Sequence, residues 1–152
     1  VGKRMSNETF EKLMHKKRTR YGTEVCYADN SRKVFEQYHN NTPCAYMLLS
    51  DQSPNDINKC YWIDFLNRKT AFIYGCEYFA KKYNYPVFYY NVKKIKRGYY
   101  EFEISEISTK PQETEYGFIV EKSAKILENT LKQTPQYWLW SHRRWKLKYE
   151  QA

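Results

Sequence analysis

The feature that most limits what this chain can fold into lies near its end. Pro135 stops a long amphipathic helix, and Thr134–Lys148 then reads Thr-Pro-Gln-Tyr-Trp-Leu-Trp-Ser-His-Arg-Arg-Trp-Lys-Leu-Lys. Three of the four tryptophans (Trp138, Trp140, Trp145) stand there among His142, Arg143, Arg144, Lys146 and Lys148. A fully buried tryptophan removes roughly 150–250 Å² from water, about 4–6 kcal/mol as an upper bound. Such a segment docks on its own domain or meets a partner; it does not dangle.

The 152 residues suffice for one domain with a real core, and we expect a single domain over 1–152. A hydrophobic content of 41% with 18% aromatics argues against disorder. The net charge of +9 calls for an anionic partner, whether nucleic acid, anionic lipid or an acidic protein. No apolar run approaches the roughly 18 residues of a spanning helix. Cys26, Cys44, Cys60 and Cys76 include no Cys-x-x-Cys pair, so they read as reduced structural thiols rather than zinc ligands or disulfides.

Periodicity divides the chain further. Ser6 or Asn7 caps a helix over Glu8–Lys17 that ends in the basic run Lys16-Lys17-Arg18-Thr19-Arg20. A short strand over Thr23–Ala28 and a helix from Asn30 or Ser31 to Tyr38 follow, closed by Asn40-Asn41-Thr42-Pro43. Cys44–Leu49 is a continuous apolar run, expected as a central parallel strand covered on both faces. Loop Ser50–Asn55 would then line a ligand crevice. Tyr61–Leu66 reads as a strand or extended segment, and Thr70–Tyr83 as a helix with Phe72, Cys76, Phe79, Ala80 and Tyr83 on one face. Val87–Val92 and Tyr99–Ile107 read as strands, the second alternating apolar with polar. The last helix, Tyr116–Lys132, carries Val120, Ala124, Leu127 and Leu131 as a stripe. The expected class is α/β: a mixed β-sheet flanked by helices.

The block from Pro135 to Lys148 resembles the one, ending in Trp-x-His-Arg-Arg-Phe-Lys, that closes bacterial lipid A (lauroyl/myristoyl) acyltransferases, a branch of the lysophospholipid acyltransferase superfamily. Trp145 stands where that family usually has Phe. Further resemblances run through most of the chain: Arg18, Arg20, Tyr21 and Gly22 match Arg-x-Arg-[Phe/Tyr]-Gly, and Asp51-Gln52 matches an Asp-Gln pair. Phe65-Leu66-Asn67 and Pro86-Val87 match shorter elements.

The resemblance implies transfer of a fatty acyl group from an acyl-carrier-protein or coenzyme A thioester to a hydroxyl of a lipid A precursor or related lysolipid. It implies no other cofactor, and it places the parent protein at the cytoplasmic face of the bacterial inner membrane. It further implies that Arg18, Arg20, Asp51 and Gln52 bind substrate, with Arg20 and Asp51 facing a common cleft. For Arg20 the alternative is a helix-end surface charge, and for Asp51 a structural cap on its loop. His142, Arg143 and Arg144 take either lipid-contacting or structural roles.

Family members carry a catalytic His with an Asp or Glu five positions later. Here the histidines are His15, His39 and His142, and five positions beyond them stand Arg20, Cys44 and Leu147. The expectation is therefore a C-terminal portion that begins after the catalytic motif and is inactive alone. Two other classes compete. One is a basic, aromatic-rich nucleic-acid-binding module, for which Lys93–Tyr100 has the right mixture but no known motif. The other is a non-enzymatic lipid-surface module.

Overall fold

The computed structural model describes residues 2, 4–39 and 43–149. The chain divides into two compact units, Val1–Leu49 and Ser50–Ala152. Among the described residues it holds four α-helices and two antiparallel two-stranded sheets, a mixed α/β fold.

In the first unit, helix α1 (Glu8–Arg18) starts where the Asn7 side chain accepts the Phe10 N–H at 3.0 Å. Glu8 and Glu11 in its first turn and Lys16, Lys17 and Arg18 in its last complement the helix dipole. Helix α2 (Ser31–Tyr38) buries Phe35, whose ring stacks on Tyr46 with centroids 4.1 Å apart. The expected closing run at residues 40–42 lies outside the described residues.

Two strand expectations in this unit are corrected. Thr23–Ala28 forms no strand; Tyr27 makes a single parallel bridge to Gly2. Cys44–Leu49 is not a covered central strand: it has no ladder partner among the described residues, and Met47 and Leu49 are exposed. An apolar run states a preference for burial, but a strand also needs a neighbour for its backbone groups.

In the second unit, β1 (Cys60–Phe65) and β2 (Arg68–Ile73) form an antiparallel hairpin. Leu66 and Asn67 make its two-residue turn, both at positive φ. The predicted helix start at Thr70 is therefore wrong. Arg68–Ile73 is a strand, and α3 spans only Gly75–Tyr83. Phe72 and Cys76 are four apart and suit a helix face, yet the spacing crosses the strand-to-helix junction. Thr70, Phe72 and Ile73 are the β-branched and aromatic types that favour strands.

Asn84, left-handed at φ 55°, ends α3. Strands β3 (Val87–Lys96) and β4 (Tyr99–Ser108) pair antiparallel around Arg97-Gly98. Both sheets are thus separate hairpins rather than one mixed sheet with a parallel centre.

Helix α4 (Phe118–Gln133) joins the pieces of this unit. Its predicted stripe Val120, Ala124, Leu127 and Leu131 is buried and packs with Ile63, Phe65 and Phe72 of the first hairpin. Ile119 packs instead with Ala80, Val87 and Ile107. The helix N-cap, Gly117, sits at φ 89°, and a Cβ there would fall on the Tyr61 phenol ring.

Glycine brings no capping side chain, and a residue on another helix supplies one. The Glu77 carboxylate, fully buried on α3, accepts the N–H groups of Gly117 (2.6 Å), Ile119 (3.0 Å) and Val120 (3.2 Å). After α4 the chain turns back through Pro135–Tyr137, and Trp138 and Trp145 pack on the main core. Trp140 is 55% exposed, so the tryptophan run docks in part. No described helix is long and apolar enough to cross a membrane.

Candidate functional site

The loop that opens the second unit places Asp51 beside a small cleft. Its walls are apolar: Phe72 from the first hairpin, with Ile119, Val120 and Leu127 from α4. Four groups add polar chemistry, namely Ser50, Asp51, the Tyr89 phenol and Ser123, with the Cys76 thiol between them in character. Burial, then the Asp51 carboxylate, pushes Tyr89 up to about 12. Burial, then Glu77, pushes Cys76 up to about 11, so this thiol stays protonated rather than nucleophilic at neutral pH.

Arg144 lies behind this loop, only 3% exposed. Its Nη1 donates to the Ala71 carbonyl at 2.8 Å, and its guanidinium lies 4.3 Å from the Phe72 ring centroid. Its Nε and Nη2 are buried with no hydrogen-bond partner. Burial lowers this guanidinium to about 10, and Asp51 opposes that fall. Asp51 is thus the anion shared electrostatically by the cleft's phenol and the buried arginine.

The C-terminal segment holds the loop in place. The Ser53 N–H donates to His142 Nε2 at 3.0 Å, which requires that nitrogen to be the unprotonated one. Trp145 Nε1 donates to Thr70 Oγ1 at 2.9 Å, and Lys146 Nζ donates to Asn55 Oδ1 at 2.9 Å. Trp138, His142 and Arg144 of the block thereby reach the main core, the Asp51 loop and the first hairpin.

The predicted site residues divide between the two units. Arg18 and Arg20 are exposed in the first, with the Arg20 guanidinium 5.2 Å from the Tyr21 ring centroid. Asp51 and Gln52 belong to the second, where Asp51 lines the cleft and Gln52 is exposed. Arg143 is exposed beside its buried neighbour Arg144. Tyr89, Cys76 and Ser123 also reach the cleft, although the sequence reads Cys76 only as a structural thiol and Tyr89 only as a strand residue. Their place depends on which hairpin and helix faces meet, and spacing along the chain does not carry that information.

An apolar slot with a carboxylate and a phenol at its edge can hold an alkyl chain's polar end or accept a hydrogen bond from a hydroxyl. It contains no histidine with a carboxylate partner, and the described residues hold no cluster of metal-ligating side chains. No curated protein and no solved structure matches this chain. The profile of one family, described as bacterial lipid A biosynthesis acyltransferase, matches residues 1–147. With nearly the whole length covered, the chain belongs to the bacterial lipid A biosynthesis acyltransferase family.

Proposed function

We propose that these residues form the C-terminal, substrate-positioning part of a membrane-associated enzyme. That enzyme moves a fatty acyl group from an acyl-carrier-protein or coenzyme A thioester to a hydroxyl of a lipid A precursor or related lysolipid. The observation that carries this reading is the family match over residues 1–147 in a chain whose three histidines all lack the carboxylate five positions on. The proton-transferring pair then lies outside these 152 residues. Arg18 and Arg20 contribute fixed positive charge for phosphate or carboxylate groups of the substrates. Asp51, with Gln52, orients a polar group of the acceptor, and the apolar walls beside Asp51 take hydrocarbon.

A general base contributes typically about 10²–10⁴-fold and must lie within hydrogen-bond reach of the hydroxyl. The 152-residue chain alone is therefore expected to show no acyl transfer above background when given a labelled acyl thioester and a lysolipid acceptor. A longer product carrying His-x-x-x-x-[Asp/Glu] should turn over in the same assay. Equal turnover by the two would overturn the reading and make His142 the first residue to replace.

A further inference from the structure

Among the described residues, the β3–β4 hairpin has one largely exposed apolar face. Directly opposed residues share a face, and successive residues alternate. The register therefore places Val92 with Phe102, the Ile104 position next to them, and Lys94 with Tyr100 on one side. Phe102 is 68% exposed and Ile104 73%, with Val92, Ile95, Tyr99 and Tyr100 also exposed.

Near the turn, charge is sorted between the two faces, while Glu106, opposed to Phe88, lies on the apolar one at its far end. Glu101 and Glu103 lie on the opposite side, opposed to Lys93 and Asn91, and Lys93 forms an ion pair with Glu103. Lys94 belongs to the apolar face, and Lys96 and Arg97 stand at the turn. The Lys94 ammonium also lies 5.7 Å from the Tyr137 ring centroid. This brings a second exposed apolar group alongside: Tyr137, Leu139 and Trp140. The Trp140 indole N–H is already satisfied by the Pro135 carbonyl at 2.7 Å, which leaves its ring bare.

We propose that this face of the hairpin, with Tyr137–Trp140 beside it, is a docking surface for an anionic lipid bilayer. Aliphatic and phenylalanine side chains enter the acyl boundary, tyrosine and tryptophan sit at headgroup depth, and Lys94, Lys96 and Arg97 meet lipid phosphates. The sorting of charge selects this occupant. Cations share the apolar side, and the carboxylates nearest the turn face away from it. The proposal deepens the membrane association in the proposed function and rests on that reading, but it is tested without acyl transfer.

The test is flotation of the 152-residue chain with vesicles of phosphatidylglycerol and phosphatidylethanolamine, beside vesicles of phosphatidylcholine alone. Binding should favour the anionic vesicles. It should fall at least about tenfold in the Phe102→Ser/Ile104→Ser double variant and in the Lys94→Glu/Lys96→Glu/Arg97→Glu triple variant. Brominated acyl chains should quench a Tyr100→Trp variant more than the parent, whose four tryptophans include Trp140 in the docking surface, a difference that misfolding of the other variants would not produce.

Equal flotation by all forms, or no added quenching in the Tyr100→Trp variant, would overturn the proposal. So would light scattering that shows the double variant turning a dimer into a monomer, which assigns the face to a second copy. Loss of oligonucleotide binding in the triple variant, with vesicle binding intact, would assign it to nucleic acid instead. Failure here, with acyl transfer by the longer product intact, removes the docking face and leaves the enzymatic reading standing.

Discussion

Arg144 stands in an arginine pair within a basic run, and nothing in that run marks which of the two is buried. The structure sinks Arg144 against Phe72 with one hydrogen bond to Ala71, while Arg143 next to it stays exposed. A buried guanidinium with unpartnered Nε and Nη2 contributes little net stability, because desolvation offsets most of what its contacts return. Its alkyl stem still fills space. We therefore expect Arg144→Met to unfold within about 1 kcal/mol of the parent, and Arg144→Ala to lose about 2–3 kcal/mol through the cavity. Urea denaturation of the three proteins checks this, and equal losses for Met and Ala would mean that the charge itself holds the fold. Asp51 was legible as a loop residue worth watching. Its link to Tyr89 and Arg144 was not, since both partners lie far along the chain.

Among the elements, those with a long one-sided pattern were legible. The α4 stripe survives, because it holds one period from Val120 to Leu131. Short apolar segments failed, as with Cys44–Leu49 and the Thr70 boundary, since periodicity over five or six residues does not separate strand from helix from coil. Glu77 was invisible for a different reason: its role is to cap a helix that begins forty positions later. Glu77→Ala should orphan the Gly117, Ile119 and Val120 amides and cost about 3 kcal/mol. Glu77→Gln should cost less, as its oxygen can still serve Ile119 and Val120, but its amide group opposes the Gly117 N–H. Thermal melts of both variants give the ranking, and a Gln variant as unstable as Ala would count against a cap that depends on individual acceptors.

For the molecule as a whole, three phenols set the response to alkali. Tyr61 is pushed up to about 12 chiefly by its hydrogen bond to Glu121, Tyr74 to about 12 by burial and then Glu77, and Tyr89 to about 12 by burial and then Asp51. Folded values raised above the ordinary 10.0 mean that their contribution is fully present below pH 10 and is lost as pH climbs toward about 12. Arg144 opposes this: lowered from 12.5 to about 10, it makes the folded state release its proton first, so it adds stability over that same rise. Three phenols, joined by the Cys76 thiol pushed up from 9.0 to about 11, outweigh one guanidinium, and the urea midpoint should fall between about pH 9 and about pH 11. A flat or rising midpoint would show that these phenols are not held in the protonated form by the fold. The mixed α/β class was legible from alternating patterns. The division into two hairpins was not, because a strand's sequence does not say which other strand it pairs with.

The close approach at the head of α4 has a consequence for how the sequence can drift. Because a Cβ at Gly117 would land on the Tyr61 ring, and φ there favours glycine in any case, neither position can change without regard to the other. A lineage that shrinks the residue at 61 removes the steric half of the constraint and keeps the conformational half, leaving asparagine or aspartate as the substitutes most compatible with the backbone at 117. Where Tyr61 keeps its present rotamer, any side chain at 117 must displace its ring. The two sites are coupled sterically, although a hairpin and a helix separate them along the chain.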